Sequence, residues 1–209
     1  MKPVRLLILI GLAALLLITF FSLYTSQSND GAQTSNPKAY INSVASHRAE
    51  KHDFMQSNEE SPFVEQKAPF DSLKYFDVNA TFKVTASVEK IESGETYELR
   101  TSDDSVKIYQ EVAILHFDLL GSHEDLTLLQ SADRSYYFLP FYDKTSTVST
   151  YGAGRYLEVD YTGNETQITL DFNYAYNPYC AYVTGYSCPV PPPQNNISVA
   201  ITAGEKNYD

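Results

Sequence analysis

Two groups of residues in this chain have the types and spacing to do chemistry. The first is Asp143 and Arg155 with Glu158 or Asp160, set on either side of the turn Tyr151-Gly152-Ala153-Gly154. Two carboxylates and a guanidinium around a turn can bind a polar ligand. They can also serve as acid and base, as in a hydrolase using Asp143 or Glu205 with Arg155 as the oxyanion or carboxylate partner. A plainer use is open to the same residues: Asp143 caps a turn, Arg155 makes a structural ion pair, and the glycines admit positive φ in a hairpin. The second group lies in the tail: Asn173, Tyr176, Asn177 and Cys180, then Cys188-Pro189-Val190-Pro191-Pro192-Pro193, then Ala203-Gly204-Glu205-Lys206. Asparagine amides can fix a ligand and tyrosines can wall it. Equally, amides in a rigid Asn-Pro and proline-rich loop can satisfy backbone groups that strands do not reach. If the tail returns Glu205 and Lys206 towards the cysteine loop, they share a pocket with Arg155 and Asn177. With Asp143 and Asn173 these make the candidate ligand site.

Cys180 and Cys188 are the only two cysteines, with seven residues between them. That spacing is too wide for the knuckle of a structural zinc site, and no metal or cofactor is expected. A disulfide closing the loop would stabilise the fold by about 2.5 kcal/mol on a chain-entropy argument; two buried free thiols are the alternative. A nucleophilic Cys180 would need a base, and His47, His52, His116 and His123, the only histidines, are all distant in sequence. A further charged run, Ser46 to Asp53, contains His47, Arg48, Lys51 and His52. It reads as a solvated helix face, or as a weak anion-binding face because its i,i+4 pairs can both be cationic.

These residues need elements to position them. Asn36-Pro37 reads as a cap followed by the first helical position, starting one amphipathic helix that runs to about Gln56. From Thr81 the pattern changes to alternation, with Phe82, Val84, Ala86 and Val88 on one face of a strand and a turn at Ser93-Gly94. Further strands are expected around Tyr97-Leu99 and over Val106–Asp118, Asp125–Gln130, Ser135–Tyr142, Arg155–Tyr161, Gln167–Phe172 and Asn196–Thr202. About eight strands after one helix predict a mainly β domain, an antiparallel sandwich or barrel. No phosphate-binding loop, dinucleotide fingerprint, serine-hydrolase elbow or zinc-protease motif occurs.

Ahead of this domain the stretch Leu6–Tyr24 carries no charge and follows Lys2 and Arg5. A helix of roughly nineteen residues spans most of a ~30 Å hydrocarbon core. The expectation is an uncleaved signal anchor over residues 1–24, or a cleaved signal peptide, with a polar linker over 25–36 and an extracytoplasmic domain over 37–209. The partners that follow are the membrane, through that helix, and a small polar ligand or another envelope protein. Beyond Arg5 the chain has 13 basic against 26 acidic residues, so nucleic acid is excluded as a general partner. The sequons at Asn79, Asn164 and Asn196 would matter only in a eukaryotic secretory pathway.

Pro140-Phe141-Tyr142-Asp143-Lys144-Thr145, Thr150-Tyr151-Gly152-Ala153-Gly154-Arg155-Tyr156-Leu157 and the tail from Phe172-Asn173 to Lys206 resemble a family of uncharacterised bacterial and archaeal proteins, domain of unknown function 1684. The Arg48, Lys51 and Phe54 helix and Ser61-Pro62-Phe63 are similar to that family's amino-terminal part, so the resemblance covers about residues 40–208. The chain departs from the family pattern at Thr147, where glycine is common, and at Gln194 and Asn196, which replace charged residues. The resemblance implies a shared shape and no activity. The function expected is a non-catalytic binding or accessory role at the cell envelope; the alternatives are the carboxylate–arginine hydrolase above and a purely structural component.

Overall fold

The structure, a computed structural model, describes residues 36–92 and 96–208. Ile41–Asp209 forms one compact unit; of the preceding unit, only the first turn of a helix is described. That helix, α1, runs over Pro37–Ser57, and the Lys38 amide donates to Asn36 Oδ1 at 3.1 Å. Its packed stripe is Val44, Arg48, Lys51 and Met55, spaced four, three and four residues apart so that they share one face. Val44 and Met55 are buried at the two ends, and the two cations lie half-buried between them. Arg48 and Lys51 are thereby drawn out of the expected solvated face, while Ser46, His47, Ala49, Glu50 and Asp53 stay exposed. A short helix α2 follows over Pro62–Glu65, capped by the Ser61 hydroxyl.

Among the described residues seven strands form one sheet: β1 (Lys83–Lys90), β2 (Thr96–Arg100), β3 (Val106–Leu119), β4 (Ser122–Ser131), β5 (Tyr137–Phe141), β6 (Arg155–Leu157) and β7 (Gln167–Asp171). The order is β6-β5-β4-β3-β1-β7, with β2 paired to the first half of β3 and β1 to its second half. All pairings between strands are antiparallel. The register of β3 against β4 shifts between Glu111 and Ala113. This extra residue turns the alternation over. Tyr109 thus joins one face, with Leu99, Leu129, Phe138 and Tyr156, while Leu115 and Phe117 join the other, with Leu126, Leu139, Phe141 and Leu170. The sheet is buried on both faces near β4 to β6, and this makes two cores.

The sandwich-or-barrel expectation is corrected to a single curled sheet, a half-barrel. Its edges are not joined to each other, because the tail occupies one of them: Tyr176 exchanges backbone hydrogen bonds with Tyr156 of β6 at 2.9 and 3.0 Å. The strand expected over Asn196–Thr202 is also absent. Asn196 bridges to Tyr142 and the Lys144 amide donates to the Val199 carbonyl at 3.2 Å, but no ladder forms, and Ser198 and Ile201 are held by the side chains of Glu124, Asp143 and Arg155. The expected turn at Ser93-Gly94 lies outside the described residues.

The expected transmembrane helix, and the single-pass membrane location drawn from it, are corrected as well. No helix among the described residues is long and apolar enough to cross a membrane. α1 has the length, but Arg48, Glu50, Lys51 and Asp53 put four charges into its middle. The apolar stretch Leu6–Tyr24 and the linker over 25–35 lie outside the described residues.

Candidate functional site

Arg155, at the start of β6, and Asp143, just beyond β5, face each other in the interior. Arg155 Nη2 donates to Asp143 Oδ2 at 2.8 Å, and each side chain is 1% exposed. The remaining partners come from the tail. Arg155 donates to the carbonyls of Ile201, Ala203 and Glu205 at 3.0, 2.5 and 3.1 Å. Asp143 Oδ1 accepts the amides of Thr145 and Ile201 and the Thr145 hydroxyl. The pair thus ties the last strand-like segment to the sheet. Charge-assisted bonds of this kind are the strong ones, and here every one goes to the chain itself. Two glycines allow the close approach. A Cβ on Gly154 (φ +89) would stand 2.5 Å from the Pro191 ring, and one on Gly204 (φ +75) would stand 2.6 Å from the Ala175 carbonyl oxygen.

Glu205 is fully buried. Its Oε2 accepts from the Asn177 amide at 2.6 Å, the Tyr182 hydroxyl at 2.7 Å and Lys51 Nζ at 3.3 Å. Burial pushes the Lys51 ammonium pKa down, and Glu205 opposes that shift. Lys51 also lies 4.5 Å over the Tyr176 ring, and Arg48 lies 4.5 Å over that of Tyr75. Asn177 Nδ2 donates to the Lys206 carbonyl at 2.8 Å, while Lys206 Nζ stands 4.9 Å over the Phe76 ring. Asn173 pairs with the backbone of Asn79 through both amide atoms, at 2.9 Å each. The six residues singled out from the sequence are therefore gathered around the tail, in a packed polar joint. Arg155, Asp143, Asn173, Asn177 and Glu205 are buried in it. The open spaces lie beside the joint.

The first of these spaces is a cleft of about 570 Å³ on the smaller core's side of the sheet. Tyr109, Phe138 and Tyr156 are buried rings in contact in sequence: Tyr109 stacks on Phe138 with centroids 5.3 Å apart, and Phe138 meets Tyr156 edge-on at 4.6 Å. Tyr136, half exposed, and Tyr176 extend the row at either end. The tail supplies the facing wall through Pro178, Tyr179, Tyr186, Cys188 and Pro189. The two cysteines form a disulfide, as expected from their spacing and even count. The Tyr156 hydroxyl donates to the Pro189 carbonyl at 2.5 Å, which anchors the proline run to the sheet. Among the lining residues only Lys107 and Glu158 are charged. Lys107 donates to the Ser187 carbonyl at 2.8 Å, and Glu158 accepts from Tyr176 at 3.4 Å.

A second, more polar cavity of about 910 Å³ shares Leu157, Glu158, Tyr176 and Tyr179 with the first. It is lined by both edges of the sheet (Leu157 of β6, Thr169 and Asp171 of β7) and by His47 and Lys51 of α1. The helix therefore covers the opening that the curled sheet leaves between its edges. Sequence reasoning noted the tyrosine cluster of the tail but missed Tyr109, Tyr136, Tyr156 and Glu158 as partners in one cleft. The available signal was composition alone, 17 tyrosines without a tryptophan.

None of the curated proteins compared with the chain matches it. Among solved structures the chain is similar to an uncharacterised protein from Haloarcula marismortui determined by NMR in solution. The two are 40% identical with a TM-score of 0.63, over 82% of this chain and 96% of that one. The model of the family described as "Protein of unknown function (DUF1684)" matches residues 68–206. That match contains the polar joint from Tyr75 onward, the disulfide loop and every ring of the cleft, and the chain belongs to this family.

Proposed function

We propose that this domain is a non-catalytic binding protein for a small molecule with a flat or ring-shaped apolar face and polar edges, held in the tyrosine-walled cleft. The observation that carries this reading is the row of rings Tyr136, Tyr109, Phe138, Tyr156 and Tyr176, set in a concavity of about 570 Å³. Small-molecule sites are concave spaces of about 300–1,000 Å³, mostly apolar, with a few placed polar groups. Ring faces favour offset or edge contacts with another ring, each worth about 0.5–1.5 kcal/mol beyond the area buried. Asn177, which borders the cleft, keeps its buried Oδ1 without a donor among the described residues. The hydrolase reading loses support, because Asp143, Arg155 and Glu205 are enclosed away from either open space, even though Glu205 Oε1 and Arg155 Nε keep no partner among the described residues.

The test is an NMR titration of the protein with a panel of ring compounds, namely aromatic amides, nucleosides and mono- and disaccharides. At least one class should shift resonances of Tyr136, Tyr176 and Tyr179 together. Tyr136→Ala should weaken that binding about tenfold, corresponding to one ring contact of ~1.4 kcal/mol. A panel that perturbs no cleft residue, or binding that Tyr136→Ala leaves intact, would end the proposal.

A further inference from the structure

The outward face of the β3–β4 hairpin carries a group of side chains that the cleft does not use. His116 on β3 stands directly opposite Asp125 on β4, and Asp118 stands opposite His123. His116 Nδ1 is 2.6 Å from Asp125 Oδ1, and His123 Nε2 is 3.7 Å from the same oxygen. One ligand atom from each of His116, His123 and Asp125 can be chosen so that all three lie within 4.8 Å of one another. The two imidazole planes are nearly parallel, at 6°.

The other nitrogen of each ring is also occupied, and by a different carboxylate. His116 Nε2 lies 3.1 Å from Glu89 Oε2 on β1, and His123 Nδ1 lies 2.9 Å from Asp118 Oδ1. A carboxylate that takes the N–H of one ring nitrogen leaves the opposite nitrogen as a lone pair. This is how imidazole ligands of metal ions are oriented and made more basic. Here the arrangement occurs twice, and the two opposite nitrogens face one carboxylate oxygen; at 2.6 Å His116 Nδ1 donates its proton to Asp125, and a bound ion would take that proton's place.

We propose that His116 Nδ1, His123 Nε2 and Asp125 form a binding site for a divalent transition-metal ion of the zinc class, with Glu89 and Asp118 as the outer carboxylates that orient the two imidazoles. Mixed imidazole and carboxylate donors suit zinc, copper and nickel over calcium or magnesium, which take oxygen donors. In a tetrahedral site with bonds of about 2.0–2.2 Å the donor atoms stand roughly 3.3 Å apart. The present 2.6 and 3.7 Å separations bracket that value, and exposed side chains can close the difference by small rotations. Three carboxylates around the two rings add charge of the favourable sign. With three protein donors, the ion keeps at least one position for water or an incoming ligand. It would join β3 to β4 directly and β1 through Glu89.

The experiment is a titration of the purified, chelator-treated protein with zinc chloride, followed through the imidazole resonances and by calorimetry. One equivalent of zinc should shift the ring signals of His116 and His123 together. His116→Ala and His123→Ala should each weaken binding at least tenfold, Asp118→Asn about 10- to 100-fold, and His52→Ala should leave it unchanged. Both histidines point outward from the sheet, so an unchanged methyl spectrum in the variants will show that the fold persists. Zinc that leaves both rings unperturbed at one equivalent overturns the proposal, as does binding that survives His116→Ala at full strength. If calcium matches zinc, the site is a carboxylate patch and the assignment is equally overturned.

Discussion

Arg155 and Asp143 meet 2.8 Å apart at a point where neither is open to solvent, and between them they bind Ile201, Ala203 and Glu205 of the tail. The pair thus replaces the hydrogen bonds that an eighth strand would have made. Removing one member leaves a buried charge without compensation, which costs about 3–5 kcal/mol. Arg155→Met and Asp143→Asn should each lose an amount of this order in urea unfolding. The double variant should lose clearly less than the sum of the two. Single losses below roughly 1 kcal/mol would show that the pair does not hold the tail.

Thr147 adopts φ +70, a left-handed conformation that costs a β-branched residue about 1–2 kcal/mol. The family pattern, with glycine common at this position, fits that backbone requirement. Thr147→Gly should stabilise the protein by roughly 0.5–1 kcal/mol, since the relief exceeds glycine's greater loss of chain entropy. A thermal melt reads this directly, and a lower midpoint would refute it.

The disulfide closes the loop whose residues Tyr186, Ser187 and Cys188 form one wall of the cleft. Reduction, or the Cys180→Ser, Cys188→Ser double variant, should cost about 2.5 kcal/mol. Any ring compound bound in the cleft should be held more weakly as well. If stability falls while cleft affinity is unchanged, that wall does not contribute to binding.

His47 retains much of its exposure but packs edge-on against Tyr174, with ring centroids 4.9 Å apart. Partial burial, followed by the charge of Lys51, lowers its pKa below 6.5, outweighing Glu50 and Glu158. The unfolded chain then binds the proton more readily than the folded one, so stability is lost as pH falls through 6.5 and levels off below the folded value. Between pH 7.5 and 5.5 the wild type should lose more stability than His47→Gln. An equal or larger loss in the variant would contradict the assignment.

What the sequence determined by itself is what neighbouring residues decide together. The alternation of Phe82, Val84, Ala86 and Val88 is a period of two, and such a pattern specifies a strand wherever one face is buried. Asn36-Pro37 starts a helix through a hydrogen bond two residues long. The even cysteine count across a short loop allowed the disulfide to be read in advance. Resemblance in the Pro140–Leu157 and tail segments carried the family.

The tertiary structure decided the rest, because the partners are far apart in the chain. Arg48 and Lys51 read as solvated charges, yet Lys51 meets Glu205, 154 residues away. No local pattern encodes that contact. The bulge at Val112 turns the β3 alternation over and sends Tyr109 to the face opposite Leu115. The tail pairs with the sheet edge only at Tyr176, and farther on buried side chains hold it, Arg155 taking the carbonyls of Ile201, Ala203 and Glu205 and Asp143 the Ile201 amide. Those long-range choices turned the residues expected to form a site into a joint, and left the rings around it to form the cleft.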